Sequence, residues 1–171
     1  MDITLVRPDM SHKDKAMAFR AEFFSNGETV INGGELLDRC DSYESWLSSV
    51  TANTCSETVD KNWVVTDTFF AVDENDDIVG VIDLRHTLNV FLRDLGNSGY
   101  SVAPSQRRKG IATAMLGLLL DKARDAGLEV LHLSVERSNI PSVKTIVRNG
   151  GEYERSFEYE GAPADVYRIV L

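Results

Sequence analysis

Two short runs rich in β-branched and aromatic residues, Thr68–Val72 and Ile78–Leu84, stand either side of the polar stretch Asp73–Asp77. Such runs around a polar turn predict a β-hairpin. Upstream the period lengthens. Ala16, Met17, Phe19, Ala21, Phe23 and Phe24 fit a helix that Ser11 would cap and Gly27 would end. Tyr43, Trp46, Leu47 and Val50 recur at helical spacing within Asp41–Cys55 and predict a second helix. Ile3–Val6 reads as an edge strand closed by Arg7-Pro8, and Asn32-Gly33-Gly34 as a break; Val90–Leu95 fits neither period.

Downstream, Tyr100–Ala103 begins a strand that Pro104 stops. Ile111, Ala114, Met115, Leu118, Leu119 and Ala123 form a broad apolar stripe over Gly110–Ala126, with Gly127 as the stop. Leu128–Val135 alternates as a strand. Asn139–Asn149 fits a short helix with Pro141 in its first turn, and Tyr153–Tyr159 and Val166–Leu171 fit two closing strands. Helices, then strands, then an alternating β-α-β-α-β order predict a mixed α/β fold with helices covering the sheet faces. At 171 residues the chain suits one domain, residues 1–171, able to bury roughly 70% of its open-chain surface.

Composition narrows the function classes. Apolar residues make up 43% and charged residues 26%, ordinary for a globular protein. No apolar run approaches the ~20 residues of a bilayer span, and Asp2, Arg7 and Pro8 stand where a signal peptide needs apolar residues. The expectation is a cytoplasmic protein without a membrane partner. The net charge of −9 argues against a nucleic-acid partner. Cys40 and Cys55 lack CxxC spacing and His12, His86 and His132 are scattered, so neither a metal site nor a structural disulfide is expected.

Charge is also unevenly placed. Glu28–Asp77 holds twelve carboxylates against Arg39 and Lys61, whereas Arg107-Arg108-Lys109 carries three cations with no neighbouring acid. That basic triplet lies where a strand ends at Pro104 and a helix starts near Lys109 or Gly110. A helix N-terminus presents unpaired N–H groups and a dipole that favours an anion by ~0.3–1 kcal/mol per charge. Cations crowd there against their own preference, so the loop reads as a polyphosphate site rather than a plain basic turn. Neither the GxxxxGK(S/T) nor the GxGxxG spacing is present.

Arg107, Gly110 and Ala112, preceded by Ser101-Val102-Ala103-Pro104, match the Q/R-x-x-G-x-G/A signature, and through LHLSVERSNIPSVKTIVRNGG the chain resembles the GNAT superfamily of acyl-CoA-dependent N-acetyltransferases. The match is specific from about Gly99 to Gly151. The resemblance implies a mostly antiparallel sheet with one parallel pair of strands splayed around a cofactor cleft. It implies acetyl-CoA as co-substrate and no metal. The backbone from Arg107 through Arg108, Lys109, Gly110 and Ile111 to Ala112 would hold the pyrophosphate, and the main chain of Ser101 and Val102 would pair with the pantetheine arm. Asn139 and Ser142 would face the cofactor, although an Asn before a helix is also an ordinary N-cap. Dimers are frequent in the family, so a homodimer is an expectation here.

The reaction the resemblance implies is direct attack of an amine on the thioester in a ternary complex, with an N–H near Val102 stabilising the oxyanion. Two positions depart from the family pattern. Ile146 stands where many members have a Tyr beside the departing sulfur, and Gly96-Asn97-Ser98 lacks the Glu that many carry before the phosphate loop. Glu136, Asp83, His86 and Tyr100 are the replacement candidates for acid and base. Each also has an ordinary reading: Glu136 paired with Arg137, His86 a surface residue, Tyr100 core. The acidic N-terminal half would draw a small cationic primary amine, with Trp46 and Trp63 as a wall. A non-catalytic acyl-CoA sensor and a protein or peptide amine acetyltransferase are the rival readings.

Overall fold

Phe69 and Ala71 point to one side of the second strand and Phe70 and Val72 to the other, yet all four are buried. Such a strand must be covered on both faces. The computed structural model, which describes residues 1–171, supplies both covers. Strands β1 (Thr4–Val6), β2 (Thr66–Val72), β3 (Ile78–Arg85) and β4 (Tyr100–Val102) form one antiparallel sheet in that order. Helices α1 (Lys13–Ser25) and α2 (Tyr43–Ala52) cover one face through Phe19, Phe23, Trp46 and Val50. Helix α3 (Ile111–Asp125) covers the other through Met115, Leu116, Leu119 and Ala123. Trp46, expected as an acceptor wall, is core instead: it stacks near Phe70, and its indole donates to Gly34 O at 2.8 Å.

The second sheet has the order β5 (Val130–Glu136), β7 (Ala162–Val170), β6 (Glu152–Tyr159), also antiparallel, with α4 (Ile140–Arg148) between β5 and β6 in the chain. The fold is therefore mixed α/β, as the element order predicts. The sheets meet through a bridge between Gly96 and Leu133, reinforced where Asn97 N donates to His132 O (2.7 Å) and Asn97 Oδ1 accepts from His132 N (2.9 Å). Past that junction β4 and β5 share no ladder, which opens the splay the resemblance implies.

Local chemistry sets the edges. α1 is not capped by Ser11. A 3-10 turn (Met10–His12) precedes it, and there the Asp9 carboxylate accepts from Ser11 N at 2.8 Å. A bulge leaves Val79 without a partner between the Ala71/Gly80 and Val72/Ile78 pairs and flips the side-chain phase of β3. Beyond it Gly80 lies against the Met115 thioether and Ser101 O, where a Cβ has no room.

Candidate active site

The splay between β4 and β5 is the mouth of a cleft of about 1140 Å³. Val102, Gly110, Ala112, Ser134, Asn139 and Ser142 are among the residues on its walls. Asp83 N donates to Gly99 O and Ala103 N to Val79 O, so the odd-numbered residues of β4 face β3. By the alternation of an antiparallel ladder, the backbone groups of Tyr100 and Val102 face the cleft. Ser101 does not present its main chain there, contrary to expectation. Its Oγ donates to Asn32 O at 2.8 Å and reaches the cleft only as a wall.

At the cleft's basic end, Arg108 (φ +64°) and Gly110 (φ +80°) take left-handed backbone conformations that turn the chain into α3. No side chain caps this helix, and its first i→i−4 bond runs from Ala114 N to Gly110 O. The amides of Ile111, Ala112 and Thr113 are thus left to a ligand or solvent. Two of the three expected cations are engaged elsewhere. Arg107 donates to both carboxylate oxygens of Glu28 (3.0 and 2.8 Å) and to Val102 O (3.2 Å), and lies over the Phe23 ring. Its guanidinium, hydrogen-bonded to Glu28, holds that carboxyl below the ordinary range. Lys109 donates to Gln106 Oε1 at 2.9 Å and is not on the cleft wall. Arg108 is on the wall, joined by Lys144 and Arg148. Sequence reasoning missed these last two, although their i, i+4 spacing on α4 puts them on one face.

Asn139 is an N-cap: its Oδ1 accepts from Ser142 N at 3.3 Å, and its side chain still borders the cleft. The Tyr100 hydroxyl lies 2.7 Å from Ser142 Oγ. Ser142 precedes the buried Ile146 by one turn of α4, so the phenol reaches the helix face where Ile146 offers no polar atom. Burial raises the Tyr100 pKa, against the opposing pull of the Ser142 hydrogen bond.

The remaining acid–base candidates separate. His86 Nε2 lies 2.7 Å from Asp67 Oδ2, and Arg7 Nη1 donates to Asp67 Oδ1 at 2.7 Å; none of these three lines the cleft. His86 is thereby set apart from Tyr100 and Ser142. Glu136 is exposed on the cleft wall and is not paired with Arg137, whose guanidinium holds Asp165 at 2.8 Å. Asp83 is fully buried beneath Gly99 and accepts from Gly99 N at 2.6 Å.

A further acid, Glu35, was not singled out from the sequence. It follows Gly34 in the loop between α1 and α2 with φ +49°, and Leu36 follows at φ +69°. Gly33 packs so close to Gly99 that a Cβ on it would overlap the Gly99 carbonyl. That approach carries Glu35 to the Asp83 carboxyl. Burial first, then the hydrogen bond and negative charge of Asp83, push the Glu35 carboxyl up to about 9, opposed by Arg85 and by Trp63. The only sequence signal was an isolated acid beside a Gly-Gly break.

The other acidic residues disperse. Lys13 pairs with Glu44 at 2.5 Å and Lys15 with Asp77 at 3.3 Å, so the charge excess does not form one face.

The model of the acetyltransferase (GNAT) family matches residues 37–150, more than half of the chain. The chain belongs to that family. Comparison with curated protein sequences gives no match. Among solved structures, the chain resembles RimJ of Mycobacterium smegmatis in complex with CoA-disulfide, with TM-score 0.72 and 22% identity over 98% of this chain and 81% of that one. It also resembles yncA of Salmonella typhimurium with its cofactor acetyl-CoA, with TM-score 0.69 and 17% identity over 99% and 94%. The ribosomal L7/L12 α-N-protein acetyltransferase RimL in complex with coenzyme A gives TM-score 0.70 and 17% identity over 99% and 94%. These likenesses share the GNAT fold across both sheets. No helix of the chain is long and apolar enough to cross a membrane.

Proposed function

We propose that this GNAT acetyltransferase moves the acetyl group of acetyl-CoA to a primary amine of a small, cationic acceptor, by direct attack within a ternary complex. That the donor is acetyl-CoA follows from the family; the acceptor is the inference. Residues 1–171 act as one acetyltransferase domain in this reading.

The observation that carries it is the cleft between β4 and β5, which joins an uncapped helix N-terminus at one end to buried carboxyls at the other. The amides of Ile111–Thr113, with Arg108, Lys144 and Arg148 nearby, suit a pyrophosphate. Arg107 supports them indirectly by pinning the loop to Glu28. The outward N–H of Val102 suits an oxyanion on the thioester carbonyl. The Tyr100 phenol, kept protonated by burial, suits proton delivery to the departing thiolate.

The sensor reading was motivated by missing acid and base groups. Tyr100 and the Glu35–Asp83 pair beside the cleft remove that motive. Mixing the protein with acetyl-CoA and a panel of phenethylamine, spermidine, an aminosugar and a peptide with a free N-terminus tests the reading through thiol release. Amine-dependent release with the small amines supports it. Release with the peptide alone would replace it with a protein acetyltransferase, and CoA binding without release would replace it with a sensor.

A further inference from the structure

The carboxyl pair at the closed end of the cleft has a role that thioester binding leaves unused. Asp83 is wholly buried; one oxygen is committed to Gly99 N–H at 2.6 Å. Its other oxygen, Oδ2, lies 3.1 Å from Arg85 Nη2 but makes no hydrogen bond, so a buried acceptor lone pair is left over. The Glu35 carboxyl is the group placed within hydrogen-bonding reach of Asp83. Two carboxylates in contact in a buried site cannot both stay ionised cheaply, and a single proton held between them satisfies the orphan oxygen.

The charged and polar groups facing Glu35 are few. Asp83 and Arg85 come from β3, and Trp63 comes from the segment before β2 with its indole nitrogen buried and unpartnered. Arg85 Nη1 donates to Gly96 O at 2.9 Å, and Arg85, Ser98 and Gly99 form the cleft wall at this point. The pair is therefore separated from the cleft by the Gly33–Gly99 contact and Arg85.

We propose that Glu35 is the general base of the reaction: it shares one proton with Asp83 in the resting enzyme and, in the doubly ionised pair, takes the proton of the acceptor ammonium. Asp83, Arg85 and Trp63 are positioning residues that set its basicity. This rests on the amine-acetylating reading above. The step balances as follows. The ammonium N–H bond breaks and its proton goes to a Glu35 carboxylate oxygen. The freed amine lone pair forms the C–N bond at the thioester carbonyl of acetyl-CoA. The C–S bond then breaks, and the second nitrogen proton ends on sulfur. A base titrating near the range of an alkyl ammonium transfers protons with little thermodynamic loss, which an ordinary surface carboxylate does not.

The test is the pH dependence of kcat/KM with phenethylamine for the wild type, Glu35→Gln, Asp83→Asn and Arg85→Gln, alongside CoA titrations. Glu35→Gln is expected to lose about 10²-fold or more in kcat with CoA affinity kept. Removing the Asp83 charge is expected to move the alkaline ionisation to lower pH, and removing the Arg85 charge to move it higher. Loss confined to KM in Glu35→Gln, or an unmoved ionisation in both neighbours, overturns the assignment. A wild type that acetylates no amine defeats the parent reading instead. In that event carbon-13 NMR of the side-chain carboxyls still decides the shared proton. A Glu35 carboxyl titrating above pH 7, lowered in Asp83→Asn, supports it; one titrating in the ordinary range overturns it.

Discussion

Arg107 holds both oxygens of Glu28, at 3.0 and 2.8 Å, across 79 positions of sequence. The contact ties the turn that opens α3 to the segment that follows α1, so one wall of the cleft is braced by the other. Arg107→Ala and Glu28→Ala are each expected to weaken CoA binding by about fivefold, by loosening the turn rather than by removing a phosphate contact. A double-mutant cycle in CoA titrations checks this. Equal effects that do not add mark a shared brace, whereas a full loss in Arg107→Ala beside a silent Glu28→Ala would mark a direct phosphate ligand.

Gly110 sits at φ +80° with open space where a side chain would go. Gly110→Ala is therefore expected to cost about 1 kcal/mol of stability from backbone strain alone, with CoA affinity close to native. Gly110→Asp adds an anion at the uncapped terminus and is expected to weaken CoA binding at least tenfold. Thermal melts and CoA titrations on both variants separate strain from charge.

The cations on the wall should make CoA affinity depend on salt. Charge removal at Arg108, Lys144 or Arg148 is expected to weaken binding severalfold at low ionic strength and to flatten its salt dependence. Titrations at two salt concentrations check it, and a native salt slope in the triple variant counts against a phosphate at this end.

Tyr100→Phe removes one hydroxyl and its contact with Ser142 Oγ. The ring stays packed, so the expected change is about 10²-fold in kcat with little change in CoA affinity. Ser142→Ala leaves the phenol in place and is expected to cost much less, which kcat measured side by side would show.

Stability should also report the buried acid. Unfolded, Glu35 ionises near its ordinary 4.5; folded, it keeps its proton up to about 9. Between those values the unfolded chain has released a proton the folded chain retains, so rising pH favours unfolding. Its contribution is complete below about pH 4.5 and fades as pH climbs to about 9. Glu35→Gln should melt like the wild type at pH 5 and higher at pH 8.5, by on the order of 1–3 kcal/mol. Equal midpoints at both pH values would contradict the buried state of this carboxyl.

Much of the architecture was readable because it is local. The apolar stripe of Met115, Leu116 and Leu119 has one period whatever it packs against, and the change of period near Thr68 marks where helices give way to strands. The turn Arg107–Ala112 was readable for the same reason, since strand end, basic turn, Gly110 and helix start are adjacent in the chain. The cap of α1 misled because Ser11 and Asp9 are equally plausible caps. The choice between them fell to a 3-10 turn closed by His12, whose Nδ1 accepts from Asp9 N.

What the linear order determined by itself was therefore the set of elements, the fold class and the phosphate-binding end of the cleft, all products of neighbours along the chain. Tertiary structure alone decided the acid–base end. Glu35 and Asp83 lie 48 positions apart and become a pair only because Gly33 and Gly99 let two backbones touch. It likewise took Arg107 from solvent and gave it to Glu28, and it set His86 on Asp67 outside the cleft. A side chain's charge is written in its residue type, but its partner and its basicity depend on which distant groups share its burial, and no periodicity encodes that distance.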